Sequence, residues 1–433
     1  MPPLAQVDGE AADPSARYRK VRPLGNRDIA VTGIGMLSPA GIGLEENWHR
    51  LCRGLSLADR DPLLDGLRAD FSCAVRGFNA ASVLGHKVAR RLDTFAQFAV
   101  VAARQAVADA GLDPAQWQSE RVGVVLGVGS NSLHSYEKPF SLLEQDRADF
   151  MSPFNIPRSL PNMAAGEIAL DLGARGVCFT TSSACASGTT ALGTAMDLLR
   201  SGRCDIVLAG GSESGRSRMT AASFWRMGAL SSRRDDPEAA SRPFDTERDG
   251  FVLGEGAAVL VLERAGEAHR RRARLRGYLA GYGATADGYH PTAPAPTGES
   301  AEAAIRAALL DAGCGADSID HINAHGTSTR LNDETEALVL RKVFPAGPPI
   351  TANKSVLGHA LGAAGALEAA VTLLSLMHAK IPPTANLQCQ DAALELNIVT
   401  KTPRERRMRT AVSTSFGFGG HNAVLVMRGS RPD

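Results

Sequence analysis

Two successive series of strand-length apolar runs, each alternating with helix-length stretches, fill nearly all of this 433-residue chain. The first series opens with "DIAVTGIGML" (28–37), a buried strand entering a glycine turn. Helix signals follow at "LEENWHRLCRG" and over 88–112, where the pattern stops at a glycine, then a strand at "RVGVVLGVG" (121–129). A looser stretch rich in Phe, Pro and Asn runs to about 163. Strand "VCFTT", a helix over about 186–200, strand "CDIVLAGG", a helix near 219–228 and strand "AAVLVLE" complete the series. The second runs through strand "RLRGYLAGYG", helix "GESAEAAIRAALLDAG", strand "IDHINAH", helix "NDETEALVLRKVF", strand "ITAN", helix "LGAAGALEAAVTLLSLMH" and closing strands "AVSTSF" and "AVLVMR". Such alternation requires an α/β architecture whose sheets are covered by helices. Comparable element order in both series predicts an internal duplication, with halves at 28–270 and 271–428, although the residues themselves hardly repeat. Residues 1–27 are polar and without period, which predicts a flexible tail.

Charge and cysteine usage narrow the function classes. A net charge of +1 provides no overall attraction to nucleic acid or to a membrane surface. The arginine clusters "HRRRARLR" (269–276) and "RERRMR" (404–409) read as solvated faces. Seven cysteines are scattered without zinc-ligand spacing, as expected of reduced thiols in a cytoplasmic protein. The N-terminus lacks the apolar core of a secretory signal, and no stretch approaches the roughly 20 apolar residues of a membrane span.

Four stretches carry the chemistry: "TSSACASGTTALGTAMDLL" (181–199), "INAHGTSTRLNDETE" (322–336), "NKSVLGHALGAAGALE" (353–368) and "STSFGFGGHNA" (413–423). Singly, each has a plain reading: a buried apolar cysteine, a space-filling histidine, a glycine turn. Together they suggest a site. Cys185 sits at a strand-to-helix junction, where unpaired N–H groups and the helix dipole favour a thiolate. His325 and His359 follow strand-like runs and precede turns. Lys354 is one of few lysines in an arginine-dominated chain, and its compact charge suits a place beside an imidazole.

These stretches, in this order, resemble those of the β-ketoacyl-acyl carrier protein synthases, the synthase II type of the thiolase superfamily. The likeness extends over residues 28–428 and includes "ALSSRRDDPEAASRPFDTERDGFVLGEGAAVLVLE" (229–263) and "YHPTAP" (289–294). It implies a thiolase fold, two pseudo-symmetric halves in a five-layer αβαβα sandwich, as a homodimer or as the catalytic partner of a chain-length-factor-like subunit. It implies decarboxylative condensation of an acyl chain on Cys185 with malonyl-carrier protein, in fatty-acid or, by preference, polyketide or polyene assembly. The backbone N–H groups of Cys185 and Phe418 would form an oxyanion hole, and His325 and His359 would stabilise the enolate. Lys354 and Glu368 would orient the histidines, and Phe418 would gate the pocket. Thr327, Thr329 and Thr292 would hold the phosphopantetheine arm, which the carrier protein supplies; no cofactor or metal resides on the enzyme. A chain-length-factor-like protein usually lacks the cysteine, and a degradative thiolase would use a second cysteine late in the chain, where only Cys389 stands. A non-condensing acyltransferase of the same fold remains an alternative.

Departures from the pattern bear on substrate and partner. Ser130 stands where a bulky Ile is common at the acyl-pocket wall and predicts room for a longer, bulkier or more polar chain. Lys87 and Arg91, spaced i,i+4 on one helical face, match carrier-protein docking positions. Asp149, Phe150 and Gly228 replace basic residues there, which predicts selectivity for a particular carrier protein. Arg330 replaces a usual Pro and Thr414 a frequent Asn, neither touching the assigned catalytic roles.

Overall fold

The computed structural model describes residues 27–130 and 133–430; the tail expected over 1–27 lies, apart from Arg27, outside them. The principal strands of the main sheet are β1 (Ile29–Ser38), β2 (Val122–Gly127), β3 (Cys178–Thr181), β4 (Ile206–Ser214), β5 (Glu255–Arg264), β6 (Gly277–Ala286), β7 (His321–Asn323), β8 (Ile350–Thr351), β9 (Thr410–Gly417) and β10 (His421–Arg428). They lie in the order β8-β7-β9-β10-β6-β1-β5-β4-β2-β3, with a short Gly41–Ile42 strand against β1. From the centre outward one arm runs β1, β5, β4, β2, β3 and the other β6, β10, β9, β7, β8, the same path taken twice. Directions repeat as well. The outer pairings of each arm are parallel, and the two nearest the centre are antiparallel. Among the described strands, the arms pair with each other where Ile29–Val31 meet Gly277–Leu279.

Six helices layer these arms: α1 (Thr94–Asp109), α2 (Met163–Leu172), α3 (Ser187–Arg200), α4 (Glu299–Ala312), α5 (Arg330–Val343) and α6 (Ala364–His378). Helices α1 and α2 cover the first arm and α4 and α5 the second, while α3 and α6 pack on each other and on strands of both arms. The chain is thus the expected five-layer αβαβα sandwich, with its largest apolar core around Leu192, Met196 and Leu199 of α3 and Leu367, Val371 and Leu373 of α6.

Residue-level repetition survives where a helix lies closest to a strand. A methyl group on Gly35 of β1 would stand 1.9 Å from the Ala102 carbonyl oxygen of α1. One on Gly283 of β6 would stand 2.1 Å from the Ala304 carbonyl oxygen of α4. Each half needs a bare strand backbone facing alanine for its outer helix to seat.

Three expectations change. The helix expected over 88–112 is two, His86–Arg91 and α1, because Leu92 is extended and the Asp93 carboxylate caps the second by accepting the Phe95 N–H. The looser stretch before 163 contains a helix at His134–Glu144. The helical run Leu361–His378 is long and apolar enough to cross a membrane, but 89% of it is buried, since a helix apolar all round is also what a protein centre requires.

The contacts at Gly35 and Gly283 generate a stability test. Gly35→Ala and Gly283→Ala should each lower the unfolding free energy by about 1–3 kcal/mol or more through overpacking. A urea midpoint equal to the wild type for either would mean that helix and strand are not in that contact.

Candidate active site

The "TSSACASGTT" segment folds as a strand end, a tight 3-10 turn at Ala184–Ala186 and then α3. Ser187 builds the turn locally: its hydroxyl accepts the Ser183 N–H (2.9 Å) and donates to the Ala184 carbonyl (2.6 Å). Ala184 is thereby held at φ 50°, a left-handed conformation that costs a non-glycine residue on the order of 1–3 kcal/mol. The backbone N–H groups of Phe418 and of Cys185 itself are directed at the sulfur and favour its charged form. Burial nevertheless dominates and pushes the Cys185 thiol up to about 11, with the Lys354 ammonium opposing it. Desolvation thus outweighs the two N–H groups and the ammonium, which favour the thiolate that the sequence suggests at this junction.

His325 follows β7, and His359 lies in the loop between Leu357 and Leu361. Their rings are 5.4 Å apart and nearly perpendicular. His325 also meets Phe416 edge to face, and His359 meets Phe251. Both rings are buried, and burial first, then the Lys354 charge, holds their pKa values well below the usual imidazole value. Both are neutral near pH 7. The Lys354 ammonium donates to His325 Nδ1 (3.1 Å), to the His325 carbonyl (2.6 Å) and to the Glu368 carboxylate. Since Nδ1 accepts, the His325 proton sits on Nε2. Glu368 accordingly acts on His325 through Lys354, and burial pushes its carboxyl up to about 7.

A cleft of about 390 Å³ joins Cys185, His325, His359 and Phe418 with Thr292, Thr327 and Thr329. The Thr327 and Thr329 hydroxyls are 2.8 Å apart, and Thr292 is anchored through its N–H to His290 Nδ1 (3.1 Å). Phe418 meets Phe224 at a tilt of 53° at the cleft and precedes Gly419 and Gly420, both at positive φ. Among the described residues, no group of three or more His, Cys, Asp or Glu is arranged to hold a metal ion.

Not every singled-out residue joins this cleft. Ser130 is absent from its lining, and its hydroxyl donates to Glu213 (3.1 Å). Lys87 and Arg91 line a separate basic groove of about 700 Å³ with His86, Arg90, Lys138 and Arg158. Arg91 is committed there to the buried Glu167 carboxylate, which leaves Lys87 the more available charge. Phe150 is exposed and lies under the Arg147 guanidinium. Thr414 does touch His325, contrary to expectation: its hydroxyl accepts the His325 N–H (3.0 Å) and donates to Glu336 (2.7 Å). Arg330 lines the cleft mouth. Glu336, which the sequence reading did not single out, accepts the N–H groups of His325 and Gly326 at 2.8 Å each. Its signal was an acid three residues after Asp333 on one face of α5, the face that turns inward.

Comparison with known proteins gives matches over most of the chain. Residues 26–268 match the β-ketoacyl synthase N-terminal domain and residues 276–388 the C-terminal domain. A 3-oxoacyl-[acyl-carrier-protein] synthase 2 of Staphylococcus aureus is 38% identical over 408 residues, covering 93% of this chain and 98% of the relative. Among solved structures, the ishigamide ketosynthase/chain length factor superposes with a TM-score of 0.88 at 34% identity, over 94% of this chain and 100% of the other. A type II PKS acyl-carrier protein in complex with its ketosynthase bound to the hexaketide does so at 0.85 and 32% identity, over 94% and 100%.

The raised Cys185 thiol predicts a pH profile. Iodoacetamide labelling of the Cys185 peptide, followed by mass spectrometry, should accelerate about tenfold per pH unit from pH 7 to 9 as the thiolate fraction grows. A plateau below pH 8 would show a sulfur already ionised.

Proposed function

The chain belongs to the β-ketoacyl synthase family, and from that premise we propose how its own residues condense an acyl chain with malonyl-carrier protein. The carrying observation is the convergence of Cys185, two neutral imidazoles and the Phe418 N–H on one cleft. Cys185 Sγ attacks the acyl thioester carbonyl, and the N–H groups of Cys185 and Phe418 stabilise the oxyanion. The bond to the phosphopantetheine sulfur breaks, and that sulfur departs as a thiol with the cysteine proton. Malonyl-carrier protein then enters, its arm lying along Thr327, Thr329 and Thr292. Loss of carbon dioxide leaves an electron pair shared with the thioester oxygen, where His325 Nε2–H and the His359 N–H donate. Neutral donors serve here because neither proton is surrendered. The enolate carbon attacks the acyl-Cys185 carbonyl, the C–S bond breaks, and the sulfur regains one proton from solvent. Holding both partners in one cleft makes the carbon–carbon step effectively unimolecular. Phe418 gates the cleft, and Lys354 with Glu368 fixes the His325 tautomer.

The halves divide near residue 270, one carrying the cysteine and the other both histidines. Lys87 and neighbouring basic groups meet an acidic carrier protein. Phe140, Leu143 and Ile156 are exposed along one stretch of the single chain, a face for a second subunit. Similarity to the ishigamide ketosynthase/chain length factor and to a type II PKS ketosynthase supports the polyketide setting, and the former supports such a heterodimer. Seven free thiols agree with a cytoplasmic location.

The test is incubation with a panel of acyl-carrier proteins and malonyl-carrier protein, products being weighed by mass spectrometry. The wild type should acquire an acyl group on Cys185 and release a β-ketoacyl product two carbons longer. Cys185→Ala should do neither. His325→Ala and His359→Ala should acylate normally but condense about 10²–10³-fold more slowly. Undiminished condensation by Cys185→Ala would sink the assignment.

A further inference from the structure

One buried carboxylate takes no part in these steps. Glu213, the penultimate residue of β4, is 2% exposed and receives four hydrogen bonds: Gly129 N–H (2.7 Å), Ser130 N–H (3.2 Å), Ser130 hydroxyl (3.1 Å) and Gly362 N–H (3.2 Å). The three N–H groups share one oxygen, Oε2. Gly129 and Ser130 follow β2 in the first half, whereas Gly362 lies in the second, three residues after His359.

Around this carboxylate the duplication brings two equivalent turns face to face. Ala184–Ala186 precedes α3 and Leu361–Ala363 precedes α6, each a 3-10 turn at the head of a central helix. Each begins on a non-glycine residue with positive φ, 50° at Ala184 and 46° at Leu361. Gly129 is wedged between them: a methyl group there would lie 2.9 Å from the Gly362 nitrogen and 3.0 Å from the Ala184 carbonyl oxygen. Two strained turns in such contact persist only where their surroundings over-determine them.

We propose that Glu213 is a positioning residue for the reaction, its carboxylate tying Gly129, Ser130 and Gly362 together so that the Cys185 turn and the His359 loop keep one relative placement. It acts through the turns, without touching substrate. The carbon–carbon step is the one that feels this, because it alone needs the acyl-sulfur and the enolate donors at the same instant. Acylation of Cys185 uses the nucleophile turn and Phe418 and is less dependent on His359.

The proposal rests on Cys185 as nucleophile, and the test separates the two. In Glu213→Gln the amide oxygen can take the three N–H groups while its NH2 donates to the Ser130 hydroxyl, so condensation should stay within about threefold of wild type. In Glu213→Ala the kcat for condensation should fall about a hundredfold, while single-turnover acylation of Cys185 and the KM for malonyl-carrier protein change by less than about threefold. The sulfur is faced by the Lys354 ammonium and two neutral imidazoles besides Glu213. Losing the anion in either variant should therefore shift the pH profile of Cys185 alkylation downward by about half a unit. If Glu213→Ala does not fold, Gly129→Ala carries the test, since it spreads the turns with the carboxylate intact, and the same loss confined to condensation is expected. Wild-type kcat per folded molecule, equal losses in acylation and condensation, or a glutamine variant as impaired as the alanine would overturn the proposal. A wild-type enzyme that never acylates Cys185 would instead overturn the functional reading.

Discussion

The buried Lys354 ammonium is the charge on which the centre depends. It is 2% exposed and is surrounded by the Glu368 carboxylate, the His325 carbonyl and His325 Nδ1. Removing such a charge from water costs several kcal/mol, recovered only through close pairing of this kind. In return one cation selects the His325 tautomer, opposes protonation of both imidazoles and favours the Cys185 thiolate against the effect of burial. A guanidinium would have to place a planar fork in a space that a single nitrogen fills.

Duplication explains how groups from distant parts of the chain reach one cleft. Each half ends its inner layer on a 3-10 turn and a central helix, and the two helices pack together. Their leading turns are consequently neighbours. Cys185 occupies the first turn, and His359 lies just before the second. His325 arrives from the end of β7, parallel to β9, whose far end carries Phe418 in the following loop. Symmetry supplies the framework, and the site lies where its two copies differ.

Buried carboxylates do much of the positioning. Glu336, Asp333 and Glu213 each accept backbone N–H groups from loops bearing or bordering the site, and burial raises all three, Asp333 and Glu213 to about 7. An acid that receives two or three N–H groups fixes loop geometry that small residues alone would leave loose. This accounts for the glycine- and serine-rich segments around the cleft: short residues let the backbone come close enough to be held.

Most of the order of strands and helices, the covered α/β class and the candidacy of Cys185, His325, His359 and Lys354 were legible in the chain itself, because periodicity and reactive side chains are local properties. Gly35 and Gly283 were visible as letters but not as equivalent contacts, since their meaning depends on which helix crosses them. The thiol's resting protonation, the commitment of Arg91 to Glu167, the turning of Ser130 toward Glu213 and the contact of Thr414 with His325 were decided only by tertiary structure. Each depends on distances between segments far apart in sequence, and on how much water their packing excludes. Chemical type is written residue by residue, whereas charge state and orientation belong to the assembled interior.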